Sequence, residues 1–130
     1  MKALLLALAC AGAVQAAEPV PDAQAAYRQA LAYRNGTGVA PDAALAVRWM
    51  ETAARAGLPQ AMFTLSNMLA AGEGVARNEA TAAAARRWLE QAADLGHPAA
   101  LQELALREPD PRKAELLMRQ AAHALQHASN

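Results

Sequence analysis

Apolar residues recur at intervals of three and four along the chain from about residue 22 onward, and no stretch shows the two-residue alternation of a half-buried strand. Behind Asp42, the side chains Leu45, Ala46, Trp49 and Ala53 fall on one helical face. Asp42 itself is placed to accept hydrogen bonds from the first-turn N–H groups. Gly57 stands where a helix closes, and Pro59 suits the first turn of the next one; Gly96 and Pro98 repeat that punctuation. The pattern predicts helices over 22–34, 42–56, 59–70, 78–95, 98–107 and 111–128.

The pattern also repeats. Gly36-Thr-Gly38-Val39 returns as Gly72-Glu-Gly74-Val75, and beyond these loops Trp49 matches Trp88, Ala53-Ala54 matches Ala92-Ala93, and Gly57 matches Gly96. The offset grows from 36 to 39 residues, which puts three extra residues of the second unit somewhere in Glu79 to Ala85. A third, shorter unit lacks the glycine loop. There Pro109-Asp110 echoes Pro41-Asp42, Leu117 stands where the first two units have tryptophan, and Ala121-Ala122 repeats the alanine pair. The boundaries fall at about 22–57, 58–96 and 97–130. Short connections make successive helices antiparallel neighbours, so the expected fold is all-α, an αα-superhelix or solenoid of three helix-turn-helix repeats with the third degenerate, wound as a right-handed arc. The loops differ from a phosphate-binding glycine loop, which needs a preceding strand and a third glycine where this chain has Ala40-Pro41. They read instead as hairpins between antiparallel helices, with Val39 and Val75 plugging the apolar end of each pair.

The spacing Tyr33-x-x-Gly36-x-Gly38-Val39-x-x-Asp42-x-x-x-Ala46-x-x-Trp49-x-x-x-Ala53-Ala54-x-x-Gly57 resembles the Sel1-like repeat, a relative of the tetratricopeptide repeat. The resemblance covers nearly all of 17–130 and departs at Leu69, where the family usually has tyrosine, and in the third unit. It implies a non-enzymatic module that binds other proteins, with scaffolding of envelope or polysaccharide machinery or restraint of a sensor protein as family roles. In tetratricopeptide-like stacks the first helix of each pair lines the concave side. Carried over, this gives a row of Tyr27, Phe63 and Gln102, a second row of Leu31, Asn67 and Leu106, and Gln24, Gln60 and Ala99 near the helix starts. Tyr27 and Phe63 are the informative pair, since aromatic side chains concentrate binding energy at interfaces; packing between neighbouring helix pairs is the alternative use of both.

The amino terminus changes the picture of location. Lys2, the apolar run Ala3–Ala13 and the ending Val14-Gln15-Ala16 have the form of a secretory signal peptide over 1–16, cleaved after Ala16 to leave a repeat domain over 17–130. The run is shorter than the roughly 20 apolar residues of a membrane span. In a bacterium the product would be periplasmic or secreted. Ala7-Leu8-Ala9-Cys10 offers a competing lipid-attachment reading. Cys10 is the chain's one cysteine, so cleavage after Ala16 leaves a fold without disulfides. Removing Lys2 leaves eleven basic groups against twelve acidic, a net charge of −1, which argues against a nucleic-acid partner.

Candidate chemistry is sparse, and neither a metal nor a cofactor is implied. Some exported Sel1-like proteins have been described as β-lactamase-like, but the serine form of that chemistry needs a lysine three residues after its nucleophile, and neither Ser66 nor Ser129 has one. Ser66 occupies a small-residue position of the repeat. His123 and His127 lie four apart and could share a metal with His97 or a carboxylate, although two histidines near a helix C-terminus also simply favour the helix dipole. Glu103 and Glu108 read as solvated surface residues. A β-lactamase-like hydrolase and a chaperone-like binder of extended peptides stand as alternatives to the interaction module.

Overall fold

A computed structural model describes residues 22–129, and over these the chain is entirely helical. The six helices are α1 (Ala23–Asn35), α2 (Ala43–Arg55), α3 (Pro59–Ala71), α4 (Glu79–Asp94), α5 (Pro98–Arg107) and α6 (Pro111–Ala128). They differ from the predicted ranges by a residue or so at each end, chiefly because Asp22, Asp42 and Asn78 are caps outside the helices. Asp42 Oδ1 accepts from Leu45 N at 3.0 Å. Asn78 and Thr81 form a reciprocal capping box, each side chain accepting from the other's backbone N–H at 2.9 Å. The three extra residues of the second unit lengthen its second helix, 16 residues in α4 against 13 in α2.

Consecutive helices pack in the order α1–α2, α2–α3, α3–α4, α4–α5 and α5–α6, the nearest-neighbour pattern of a solenoid. The core is built from many alanines around a few long side chains, of which Met50, Leu65, Met68 and Leu89 are completely enclosed. Alanine at Ala46, Ala53, Ala54, Ala61, Ala92 and Ala100 leaves no exposed surface, so the helix backbones approach closely. This seam departs from the expected phase. The buried positions of α2 are Ala46, Val47, Met50, Ala53 and Ala54, while Leu45 and Trp49 are only half-buried. Trp49 and Trp88 lie against the edge of the core, and the residue after each, Met50 or Leu89, occupies its centre.

The two glycine loops act as joints. Gly36 and Gly72 end α1 and α3 in the left-handed conformation, at φ 71° and 74°. Gly74 has a further purpose. A Cβ there would collide with the carbonyl of Ala43 and lie 2.7 Å from Ala44 N, so the second loop rests directly on the first turn of α2. Arg34, at the end of α1, reinforces this joint with two 2.9 Å hydrogen bonds to the Glu73 carboxylate. Val75 is half-buried as expected, but Val39 is exposed. Its loop has no described unit before it, as the open space around Gly38 also shows, so Val39 plugs nothing. The signal peptide expected over 1–16, its expected cleavage site and Cys10 lie outside the described residues.

Candidate protein-binding face

Helices α1, α3 and α5 carry the seven residues expected to meet a partner, and exposure divides them into two groups. Tyr27, Leu31, Phe63 and Asn67 are half-buried; the first three lean against the core. Gln60, Gln102 and Leu106 are exposed, Leu106 to 83% of its surface. A leucine so exposed on a helix whose other apolar side chains turn inward contributes nothing to packing. Gln24 is exposed and Ala99 half-buried.

Phe63 is the structural centre of this set. Its ring stacks on the His97 imidazole of the next unit, with centroids 5.0 Å apart and planes inclined by 30°. His97 in turn caps α5, its Nδ1 accepting from Ala100 N at 3.4 Å. Burial pushes the His97 pKa below its ordinary 6.5, because desolvation disfavours the charged form. The neutral ring keeps the lone pair that the cap requires. Phe63 therefore joins two units through one face of its ring, and the packing use of this aromatic is part of its role.

The residues weighed for chemistry are otherwise engaged. Ser66 is buried and its hydroxyl donates to the Ala85 carbonyl at 2.8 Å, tying α3 to α4. Ser129 follows α6 and donates to the Leu125 carbonyl. His123 and His127 are exposed and meet edge to face, with centroids 4.3 Å apart. Among the described residues no group of three His, Cys, Asp or Glu side chains could hold a metal ion. Glu103 is half-buried and pairs with Arg107, and Glu108 caps the turn into α6 through a 3.0 Å bond from Asp110 N. Sequence reasoning missed the Arg34–Glu73 pair and the Phe63–His97 stack, since both join residues more than thirty positions apart with no local spacing to mark them.

The Sel1 repeat model matches the chain three times, over residues 23–58, 59–97 and 102–124. The chain belongs to the Sel1 repeat family. The short third match agrees with the reduced third unit. Among solved structures, a Sel1 repeat protein from Oxalobacter formigenes superposes with a TM-score of 0.72 at 27% identity, covering 81% of this chain and 44% of that one. A protective antigen of uropathogenic Escherichia coli strains, displaying an SLR fold, gives a TM-score of 0.67 at 32% identity over 78% of this chain and 22% of its own. The chain thus spans less than half the length of either structure. Comparison with curated proteins gives no match. Sel1 repeats are generally protein–protein interaction modules, and among the described residues no helix is long and apolar enough to cross a membrane.

Proposed function

We propose that this Sel1 repeat chain is an exported, non-enzymatic scaffold of the bacterial envelope that holds a protein partner along α1, α3 and α5. The observation that carries the reading is Leu106, left in solvent on α5, with Gln102 exposed one turn before it and Gln60 exposed at the start of α3. Aromatic and aliphatic anchors rimmed by amides are the composition of a binding surface, and Tyr27, Leu31, Phe63 and Asn67 supply the rest. Protein is the partner class that family membership favours. Periplasmic location follows from the signal peptide reading of 1–16.

A hydrolase reading asks for a free nucleophile, and Ser66 spends its hydroxyl on a buried helix-to-helix bond. The test is crosslinking in the native envelope of a strain carrying the chain, followed by the same capture with Leu106→Glu. Because Leu106 is exposed, that variant should keep its melting temperature while losing the crosslinked partner. Unchanged capture by Leu106→Glu would remove this face from the interaction. Turnover of a β-lactam by the purified protein, lost in Ser66→Ala, would replace the scaffold with an enzyme.

A further inference from the structure

Arg86 and Arg107 stand where the first unit buries apolar side chains. The offset of 39 residues that matches Trp88 to Trp49 and Pro98 to Pro59 also matches Arg86 to Val47 and Arg107 to Met68. Val47 and Met68 belong to the core, whereas both arginines are exposed. Helix α5 has 10 residues against 13 in α3 and ends at Arg107, so this side chain leaves a helix end where Met68 leaves a helix interior.

A third arginine joins them. Between α3, α4 and the end of α5 lies a cleft of about 370 Å³ bordered by Arg77, Arg86 and Arg107, with Leu69 and Ala85 among its apolar walls. Arg77 lies over Gly72 as Pro41 lies over Gly36, which makes Pro41 its counterpart in the first unit. The three counterparts, Pro41, Val47 and Met68, are uncharged, so the repeat itself does not call for these cations. No carboxylate lines the cleft. Arg107 pairs with Glu103, and among the described residues Arg77 and Arg86 have no ion-pair partner. Three guanidiniums against one carboxylate leave a local charge of +2. Asn78, the N-cap of α4, borders the same space and brings the positive end of that helix to it. Like charges gathered around one cleft repel, and an anion between them turns that repulsion into attraction.

We propose, on the reading that α1, α3 and α5 hold a protein partner, that this cleft is an anion site and takes two neighbouring carboxylates from an acidic segment of that partner. Arg107 directly follows the exposed Leu106, so the site adjoins the face on which the partner lies. A carboxylate is the anion that an unmodified polypeptide carries, and its two oxygens match the planar fork of a guanidinium. Two of them balance the local charge of +2.

The experiment titrates the full chain with end-blocked tetraglutamate at low ionic strength while following backbone and arginine side-chain NMR signals. The expected result is saturable shifts centred on Arg77, Arg86 and Arg107, with a dissociation constant of about 1 mM that weakens as salt is added. End-blocked tetraglutamine should give none. Arg86→Gln combined with Arg107→Gln should bind at least about tenfold more weakly at an unchanged melting temperature. Arg86→Val with Arg107→Met, which installs the residues of the first unit, should lose the binding too. Arg48→Gln, on α2, should leave the titration unchanged. No saturation up to about 10 mM, shifts spread evenly over the chain's arginines, parental binding by the folded double variants, or saturation by pyrophosphate alone would each overturn the proposal. Envelope crosslinking separates the two readings. Capture lost in Leu106→Glu but kept in the arginine double variants would overturn the anion site and leave the face standing. Saturation at the three arginines with capture unchanged in Leu106→Glu would do the reverse.

Discussion

Ser66 is the one buried polar side chain among the described residues, and its single hydrogen bond to the Ala85 carbonyl spans two helices. Alanine there removes both the bond and the hydroxyl, so Ser66→Ala should destabilise the fold by only about 1 kcal/mol by urea unfolding. A leucine has no room beside Ala85, itself buried, and Ser66→Leu should cost about 1–3 kcal/mol through overpacking. The small-residue character of this position was legible in the repeat, because a close helix contact constrains the sequence directly. His97 was not, since nothing in the local spacing announces an imidazole that caps one helix and stacks on the ring of another. Its lowered pKa has a thermodynamic consequence. Below the ordinary 6.5 the unfolded chain takes up a proton that the folded imidazole resists, so this residue's contribution is complete above that pH and declines as pH falls from 6.5 toward the folded value. His97→Asn keeps a capping side chain without the titration. Urea midpoints measured from about pH 7.5 to about pH 5 should therefore fall less steeply in His97→Asn than in the parent.

Helix limits were legible at the scale of elements because they depend on residues next to them: Asp42, Asn78, Pro59, Pro98 and the glycines that follow each pair. Which side of each helix is buried was harder, since an alanine-rich helix has a shallow hydrophobic pattern in which one large ring dominates the reading. Trp49 drew the predicted face toward itself, while Met50 is the residue enclosed. Met50→Ala should accordingly cost about 2–5 kcal/mol and leave a cavity. The seven residues expected to meet a partner fall at three repeat positions on the first helix of each unit, so their helices were also foreseeable, whereas the degree to which Phe63 is used for packing depends on His97 in another unit. The glycine loops provide a controlled comparison. Gly38 and Gly74 have nearly the same backbone, φ 74° and 70°, but only Gly74 touches the preceding unit, at Ala43 and Ala44. Gly38→Ala should show the left-handed strain alone, about 1 kcal/mol. Gly74→Ala adds a collision with backbone that cannot move aside, and its loss in melting temperature should be clearly larger. Equal losses would mean that the second loop does not rest on α2.

Among the described residues the main packing is between successive helices, and this distributes stability unevenly. Helix α3 buries six residues and packs against both α2 and α4, so opening it requires breaking two interfaces. Helix α6 is the longest, yet Ala121 is its only buried residue, and Leu116, Met118 and Leu125 face outward along it. Met118 follows Leu117 as Met50 follows Trp49 and Leu89 follows Trp88; in the first two units the residue so placed has no exposed surface, and in the third it retains 47%. The difference arises because α3 and α5 follow α2 and α4 in the stack, while no described helix follows α6. A stack of this kind opens from its weakest end, with local free energies below that of global unfolding. Amide hydrogen exchange should therefore show α6 protected least and α3 most, with α5 between them. Adding guanidinium at concentrations below the main transition should accelerate exchange in α6 with a small dependence on denaturant, the mark of a local opening. Leu117→Trp supplies the internal comparison: restoring the ring present in the other two units should raise protection in α6 and leave α3 unchanged. Uniform protection across all six helices, lost together at one denaturant concentration, would show instead that the third unit shares fully in a single cooperative fold.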